Sequence, residues 1–175
     1  MVNLQPYASP SYFIIIGLCL LPIIVGLYHG KRFVAYETLF SLVFIVLTFG
    51  GDHWHQGVAL IGYVLYQLLI VGGYARYRRR NNQTSVFVVA VVAAIVPLVV
   101  VKVTPAIQVG SQSLLGFLGI SYLTFKAVQM VMELRDGTIK AFQPLPFLRF
   151  LLFFPTISSG PIDRYRRFEK DYRTA

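Results

Sequence analysis

Long apolar runs recur along the chain and are separated by short polar segments. Five runs approach the length of a membrane-spanning helix, about 17–25 residues: Tyr12–Tyr28, Thr38–Gly51, Val58–Tyr74, Val86–Val101 and a run within Leu114–Leu134. The second run is short, and its helix is expected to begin near Phe33 with Glu37 in the first turn. Membrane β-strands would show alternating segments of about 10 residues, and the runs do not alternate. The pattern therefore predicts an all-α, polytopic integral membrane protein with about five transmembrane helices.

Two stretches interrupt this series. Thr104–Ser113 is polar and uncharged, and is expected to be a loop. Ala141–Ile162 is apolar but contains four prolines, too many for one straight spanning helix. A re-entrant or interfacial segment is predicted there, because irregular backbone at membrane depth must be buried in protein or line water. The chain shows no internal repeat or soluble segment, so residues 1–175 are expected to form a single membrane domain.

Composition excludes several classes of protein. Hydrophobic residues make up 56% of the chain and charged residues 13%, against about 25% charged residues in soluble domains. A soluble globule of this size has too little interior to hide that much apolar surface, and 15% aromatic residues do not fit a disordered chain. Cys19 is the one cysteine, so an internal disulfide is impossible. No metal site is expected.

The basic residues alternate between loops. They cluster after the first, third and fifth runs, as Lys31–Arg32, Arg76–Arg80 and Arg135–Lys140, whereas the second and fourth gaps hold few or none. The positive-inside rule then places the N-terminus outside the cell membrane and these three loops in the cytoplasm. The net charge of +9 is therefore attributed to topology and membrane lipids, and no nucleic acid is expected as a partner. Arg76–Arg80 is interpreted as an anchor near anionic head groups, with docking of an acidic partner as the alternative.

The helix predicted in the fifth run has a polar face. The segment Gly119–Gly137 reads GISYLTFKAVQMVMELRDG. At about 100° per residue, Tyr122, Lys126, Gln129 and Glu133 fall within about 60° of one another. A lysine facing lipid costs roughly 2.5–3.5 kcal/mol or more, so this face is expected to point into a bundle interior or an aqueous cavity. The alternative is that Lys126 snorkels at an interface while Glu133 lies at the helix end.

A second candidate site is the segment Phe153–Phe168, which reads FFPTISSGPIDRYRRF. Its small residues predict a tight turn at Ser158, Ser159, Gly160 and Pro161, with exposed serine hydroxyls. An oppositely charged pair, Asp163 and Arg164, follows the turn. Composition alone favours an ordinary exit from the membrane into the cytoplasm. The histidines are weaker candidates: His53 and His55 lie on the predicted outer loop, and His29 ends the first run.

Taken together, Gly119–Gly137 and Phe153–Phe168 resemble the membrane-bound O-acyltransferase (MBOAT) family, and the second segment resembles its D-alanyl transfer branch in Gram-positive bacteria. The two segments cover about 35 of the 175 residues. The resemblance implies many transmembrane helices around a central tunnel. It also implies an acyltransferase of the cell membrane that serves lipoteichoic acid biosynthesis by D-alanylation of the cell wall.

The same resemblance implies the partners of the reaction. D-Alanine would arrive as a phosphopantetheine thioester on a D-alanyl carrier protein in the cytoplasm, with no other cofactor bound. It would leave on the outer face to a teichoic-acid acceptor or to an intermediate acceptor protein. The residues from Ser158 to Arg164 named above are carried over as tunnel-lining or motif positions, together with the polar face of Gly119–Gly137.

The chain departs from the family in one respect. Family members run to more than twice this length, and their essential histidine lies in the C-terminal half. None of His29, His53 and His55 stands in a matching context, so no catalytic residue is expected here. The chain looks like the N-terminal part of such an enzyme, inactive by itself. The alternative function is a non-enzymatic transporter subunit or scaffold, although a transporter should show matched repeats.

Overall fold

The computed structural model describes residues 10–31, 33–49, 54–107, 119–154 and 164–173. Among these residues it contains helices and no strand, which confirms the all-helical class. The helices are α1 (Pro10–Tyr28), α2 (Val34–Phe49), α3 (Trp54–Arg78), α4 (Thr84–Ile107), α5 (Ile120–Arg135), α6 (Pro144–Leu152) and α7 (Tyr165–Arg173). The five predicted runs coincide with α1 to α5 to within a few residues at most ends.

Two of the described helices are long and apolar enough to cross a membrane, α3 over Trp54–Arg78 and α4 over Thr84–Val103. The apolar parts of α1 and α2 are shorter, Phe13–Tyr28 and Val34–Thr48. Large apolar side chains are exposed on all four helices; Leu69 is 74% exposed and Val89 66%. Such side chains are stable facing lipid rather than water. Their exposure and the two long helices fit a membrane location.

Helix α5 lies at the centre of the packed helices. It contacts α3, α4, α6 and α7, and its side chains Leu123, Ala127, Met130 and Val131 are fully buried. A smaller second cluster joins Phe40 and Phe44 of α2 to Phe154, with α1 packed on its outside. Helix α5 is therefore surrounded by protein on several sides.

Pro97 lies inside the long apolar helix α4, and the neighbouring helix α3 compensates for the hydrogen bond that this proline removes. Pro97 of α4 has no N–H, so the carbonyl of Ala93 lacks its usual donor. The Tyr66 hydroxyl of α3 donates to that carbonyl at 2.7 Å, and Gln67 Nε2 donates to the carbonyl of Ala94 at 2.9 Å. These donors allow α4 to continue through its proline at membrane depth.

A related contact lies near Pro22 of α1. The hydroxyl of Tyr36, on α2, donates to the carbonyl of Cys19 at 2.9 Å. Cys19 lies three residues before the proline, next to Leu18, whose carbonyl is the one that Pro22 leaves without its usual donor. An interhelical tyrosine therefore accompanies both prolines.

Helices α1 and α5 end in the same glycine-based turn. Gly30 and Gly137 have φ values of 66° and 71°, a left-handed conformation that glycine adopts without strain. The N–H of Lys31 donates to the carbonyl of Gly26 at 2.8 Å, and the N–H of Thr138 to the carbonyl of Glu133 at 3.1 Å. These bonds, six residues to one, satisfy carbonyls that the helix leaves free.

The boundaries differ from the sequence-based prediction in three places. Helix α4 continues through Ile107, so the loop predicted at Thr104–Ser113 is wrong for its first four residues. Pro105 does not end the helix earlier, because a proline near a helix end removes only one backbone hydrogen bond. Pro144 and Pro146 begin α6, because the first four N–H groups of a helix have no acceptor within it. Helix α7 was not predicted, although Tyr165 and Phe168, three residues apart, pack inward on it.

Candidate functional site

Lys126 lies in the protein interior between α5 and α6. The side chain is 2% exposed. Its Nζ donates to the carbonyl of Phe150 at 2.8 Å and to that of Leu151 at 3.4 Å, and it lies 5.0 Å from the centre of the Phe150 ring. The structure therefore places Lys126 inside the bundle, and not at a membrane interface to which its side chain would snorkel.

The other members of the polar face are half-buried. Gln129 Oε1 is buried and has no hydrogen-bond partner among the described residues. Glu133 Oε2 accepts the backbone N–H of Arg166 at 3.3 Å, which joins α5 to α7. Phe125 points away from the face and is 50% exposed. The face of Tyr122, Lys126, Gln129 and Glu133 is thus turned toward protein, with Lys126 the most deeply buried of the four.

The second predicted site is only partly described. Ser158, Ser159, Gly160, Pro161 and Asp163 lie outside the described residues, and Arg164 is exposed just before α7.

Both flanks of this segment are buried in the protein. Phe154 packs on Phe44 with ring centres 5.0 Å apart, and the Tyr165 ring lies 5.6 Å from that of Phe150. The residue before the segment 155–163 therefore packs on α2, and a residue just after it packs on α6.

A buried hydrogen-bond chain links α3, α4 and α5. Thr124 donates to the carbonyl of Ile120 at 2.8 Å, so the Tyr63 hydroxyl, 2.6 Å from Thr124 Oγ1, is the donor between these two. Gln67 Nε2 in turn donates to the Tyr63 hydroxyl at 2.7 Å. All three side chains are buried. The amide nitrogen and the two hydroxyls are paired with one another, which makes them tolerable at the centre of the bundle, whereas Gln67 Oε1 is buried without a hydrogen-bond partner among the described residues.

Sequence reasoning missed these hydrogen bonds between Tyr63, Gln67 and Thr124. Gln67 stands out as the main polar residue of the third apolar run, and Tyr63 precedes it by one helical turn. That spacing on one helix face was the available signal. The partner on α5 could not be read from the sequence, since Thr124 is 57 positions away from Gln67 along the chain.

A second feature that the sequence did not reveal is a crevice between α2 and α6. Its volume is about 190 Å³, and Glu37, Ser41, Leu148, Arg149 and Phe153 line it along with other residues. Glu37 is 4% exposed and Ser41 5%. The signal was an acidic residue in the first turn of an apolar run, where the helix N-terminus stabilises negative charge.

The arginine cluster at the end of α3 has a structural contact. Arg78 donates from Nη2 at 3.0 Å and from Nε at 3.3 Å to the carbonyl of Arg135, the last residue of α5. Cations at a helix C-terminus satisfy free carbonyls there. The guanidinium of Arg135 lies 4.1 Å from the centre of the Phe87 ring on α4. One arginine of the cluster thus links the ends of α3 and α5.

Neither described histidine is buried. His29 and His55 are exposed; His55 lies beside Trp54, with ring centres 3.6 Å apart, and His29 contacts the Tyr28 ring edge to face at 5.5 Å. His53 lies outside the described residues. The described histidines are thus at the ends of α1 and α3, and the polar face of α5 is formed by other residue types.

No protein-family model matches the chain. Three curated proteins named teichoic acid D-alanyltransferase align with 98% of it. The protein from Lacticaseibacillus rhamnosus is 55% identical over 175 residues, that from Streptococcus thermophilus 51% over 172, and that from Bacillus subtilis 47% over 178.

The alignments cover 43%, 41% and 45% of those three proteins. The chain therefore spans less than half the length of the curated relatives that it matches. Over nearly its whole length, this helical chain is similar to a part of proteins named teichoic acid D-alanyltransferase.

Proposed function

We propose that these 175 residues belong to a membrane-bound acyltransferase that D-alanylates teichoic acids. The observation that carries the proposal is the 55% identity to the Lacticaseibacillus rhamnosus enzyme over 98% of this chain. Identity this high along the whole chain requires the same helices and the same buried contacts. The two motifs that resemble the MBOAT family, Gly119–Gly137 and Phe153–Phe168, point to the same chemistry.

The proposed reaction is acyl transfer from a thioester to an oxygen. The donor is D-alanine on the phosphopantetheine arm of a carrier protein, and the acceptor is a hydroxyl of teichoic acid or of an intermediate acceptor. A new C–O bond forms at the D-alanyl carbonyl carbon while the C–S bond breaks. The hydroxyl proton passes to a base, and the released thiolate takes up a proton. We assign no base to this chain.

This chain's contribution is one wall of the path along which donor and acceptor meet. Tyr122, Gln129 and Glu133 remain the candidates on α5, and Gln129 Oε1 is a buried acceptor without a described partner. The residues from Ser158 to Arg164 are the candidates next to α6 and α7. The hydroxyl and amide groups among these candidates can hydrogen-bond a polar aminoacyl group without adding a fixed charge, whereas Glu133, Asp163 and Arg164 would add charged partners.

A chimaera tests the proposed function. We expect that replacing the matching part of the Lacticaseibacillus rhamnosus enzyme with these 175 residues retains D-alanine on teichoic acids in a strain deleted for that enzyme. The measurement is ester-linked D-alanine per phosphate in extracted teichoic acid. The intact relative and an empty vector are the controls. A chimaera that reaches the membrane at normal abundance and restores no D-alanine would contradict the proposal.

We further propose that the chain crosses the membrane about five times, through α1 to α5, with its N-terminus outside. The basic ends support this direction: Arg76–Arg80 follows α3, and Arg135–Lys140 follows α5. A crevice of about 650 Å³ lies on the same side and is lined by Lys140, Arg166 and Lys170 as well as Glu169. A mostly basic surface suits approach by an acidic carrier protein.

Cysteine labelling tests this topology. We expect single cysteines at His55 and Arg79, in a background lacking Cys19, to react with a membrane-impermeant thiol reagent from opposite sides. The two positions are both exposed and lie at opposite ends of α3. If α3 spans the membrane as proposed, they face opposite sides of it. Labelling of both from outside intact cells would refute the proposed direction.

A further inference from the structure

The carboxyl end of α6 has two carbonyl groups that lose their helical donors for identifiable reasons. The carbonyl of Leu151 would normally accept from residue 155, but Pro155 has no N–H. The carbonyl of Phe150 would normally accept from Phe154, whose N–H instead donates to Ser41 Oγ on α2 at 3.2 Å. Both carbonyls are therefore available to an outside donor, deep within the protein.

Lys126 is that donor. It reaches the two carbonyls from α5 at 2.8 Å and 3.4 Å, and the Phe150 ring lies under the ammonium at 5.0 Å. The end of a helix carries partial negative charge, and an aromatic face also attracts a cation. Three groups of α6 thus stabilise one charge that is 2% exposed. An apolar side chain would pack here, but it could not replace these bonds.

Phe150 is also one of the residues that hold α7. Its ring contacts Tyr165 at 5.6 Å and Phe168 at 5.3 Å. On the other side of α6, Phe154 is fixed to α2 by Ser41 and by the Phe44 ring. The residues just before and just after the segment 155–163 therefore depend on the placement of α6. That placement is set by Lys126 and Ser41, one from each neighbouring helix.

We propose that Lys126 is a positioning residue for the acyl transfer: it fixes the end of α6 against α5, and Ser41 fixes the same end against α2. The inference rests on the proposed function. It separates Lys126 from the other members of the polar face, because its ammonium donates to two α6 carbonyls. Without that cation α6 can shift by a fraction of its diameter and still fold, but the groups that flank it lose their alignment with α5.

The test compares three substitutions in the chimaera that carries these 175 residues in place of the matching part of the Lacticaseibacillus rhamnosus enzyme. Lys126→Met removes the cation with little change of volume, and Lys126→Arg keeps a cation. Lys102→Met is the control, because it makes the same lysine-to-methionine change at an exposed position of α4. Each purified protein is assayed with increasing D-alanyl carrier thioester, and rates are expressed per folded, monodisperse molecule. That normalisation separates positioning from a loss of folded protein.

We expect Lys126→Met to lower kcat about tenfold, while the KM for the carrier thioester stays within about twofold. The expected loss is smaller than the roughly hundredfold loss of rate that a misplacement of about 1 Å can cause. Lys126→Arg should recover most of kcat, and Lys102→Met should match the unsubstituted protein. Equal kcat for Lys126→Met and the unsubstituted protein would overturn the inference. No transfer by the unsubstituted protein would instead overturn the proposed function.

If Lys126→Met does not accumulate, Ser41→Ala decides the question, because it removes only the acceptor of the Phe154 N–H. A neutral hydrogen bond is weaker than a charge-assisted one, so the expected loss of kcat is smaller, about threefold, again with KM unchanged. An unchanged kcat for Ser41→Ala in that case would overturn the inference.

Discussion

Expressed alone in a bacterium that lacks its own teichoic acid D-alanyltransferase, these 175 residues are expected to restore no D-alanine to teichoic acid. The effect is all-or-none, because acyl transfer needs a base within hydrogen-bond reach of the accepting hydroxyl. The histidines of the chain are His29, His53 and His55, and the two described ones are exposed at the ends of α1 and α3. The curated relatives are also more than twice as long.

The matched experiment adds the rest of a relative as a separate polypeptide. Co-expression with the part of the Lacticaseibacillus rhamnosus enzyme that this chain does not match is expected to restore D-alanine, since separately inserted membrane helices can associate. Both arms are measured as ester-linked D-alanine per phosphate, alongside the membrane abundance of each polypeptide. Substantial D-alanine from the 175 residues alone would contradict the prediction and make His53 or His55 the first candidates for the base.

Substitution of Gly26 by valine is expected to destabilise the protein by about 3 kcal/mol, the upper end of the range for overpacking. A Cβ on Gly26 would lie 2.8 Å from Phe33 Cε2 and 2.9 Å from the carbonyl oxygen of Lys31. The ring could rotate away, but the carbonyl belongs to the turn in which the Lys31 N–H donates to Gly26 at 2.8 Å. Relief of the contact therefore requires opening the turn between α1 and α2.

Gly17→Val on the same helix is the control. Gly17 is exposed and a Cβ there would meet nothing within 4 Å, so only the small difference in helix propensity, under about 1 kcal/mol, applies. The measurement is thermal unfolding of the two purified variants in the same detergent, read as the difference in free energy of unfolding at one temperature. Equal stability of the two variants would show that the α1–α2 turn tolerates a side chain at Gly26.

Much of the fold was predictable because each helix is specified by a local pattern. A membrane helix needs an uninterrupted apolar run, and charged or glycine-rich gaps mark its ends; α1 and α3 begin within four residues of the predicted positions. The inward direction of Lys126 was also predictable, since a lysine facing lipid is costly. Helix α7 was missed because its packing residues, Tyr165 and Phe168, are outnumbered by the charges of the same short segment.

The sequence by itself therefore determined the helical class, the approximate positions of the apolar helices, the polar face of α5 and the likeness to an acyltransferase. The tertiary structure alone decided what the polar groups bind: Lys126 the end of α6, Gln67 the carbonyl of Ala94 beside Pro97, and Ser41 the N–H of Phe154. The physical reason is that helices form through bonds between residues three to five positions apart. A buried polar side chain instead binds a backbone group on another part of the fold, and only the packing of the helices decides which group comes within its reach.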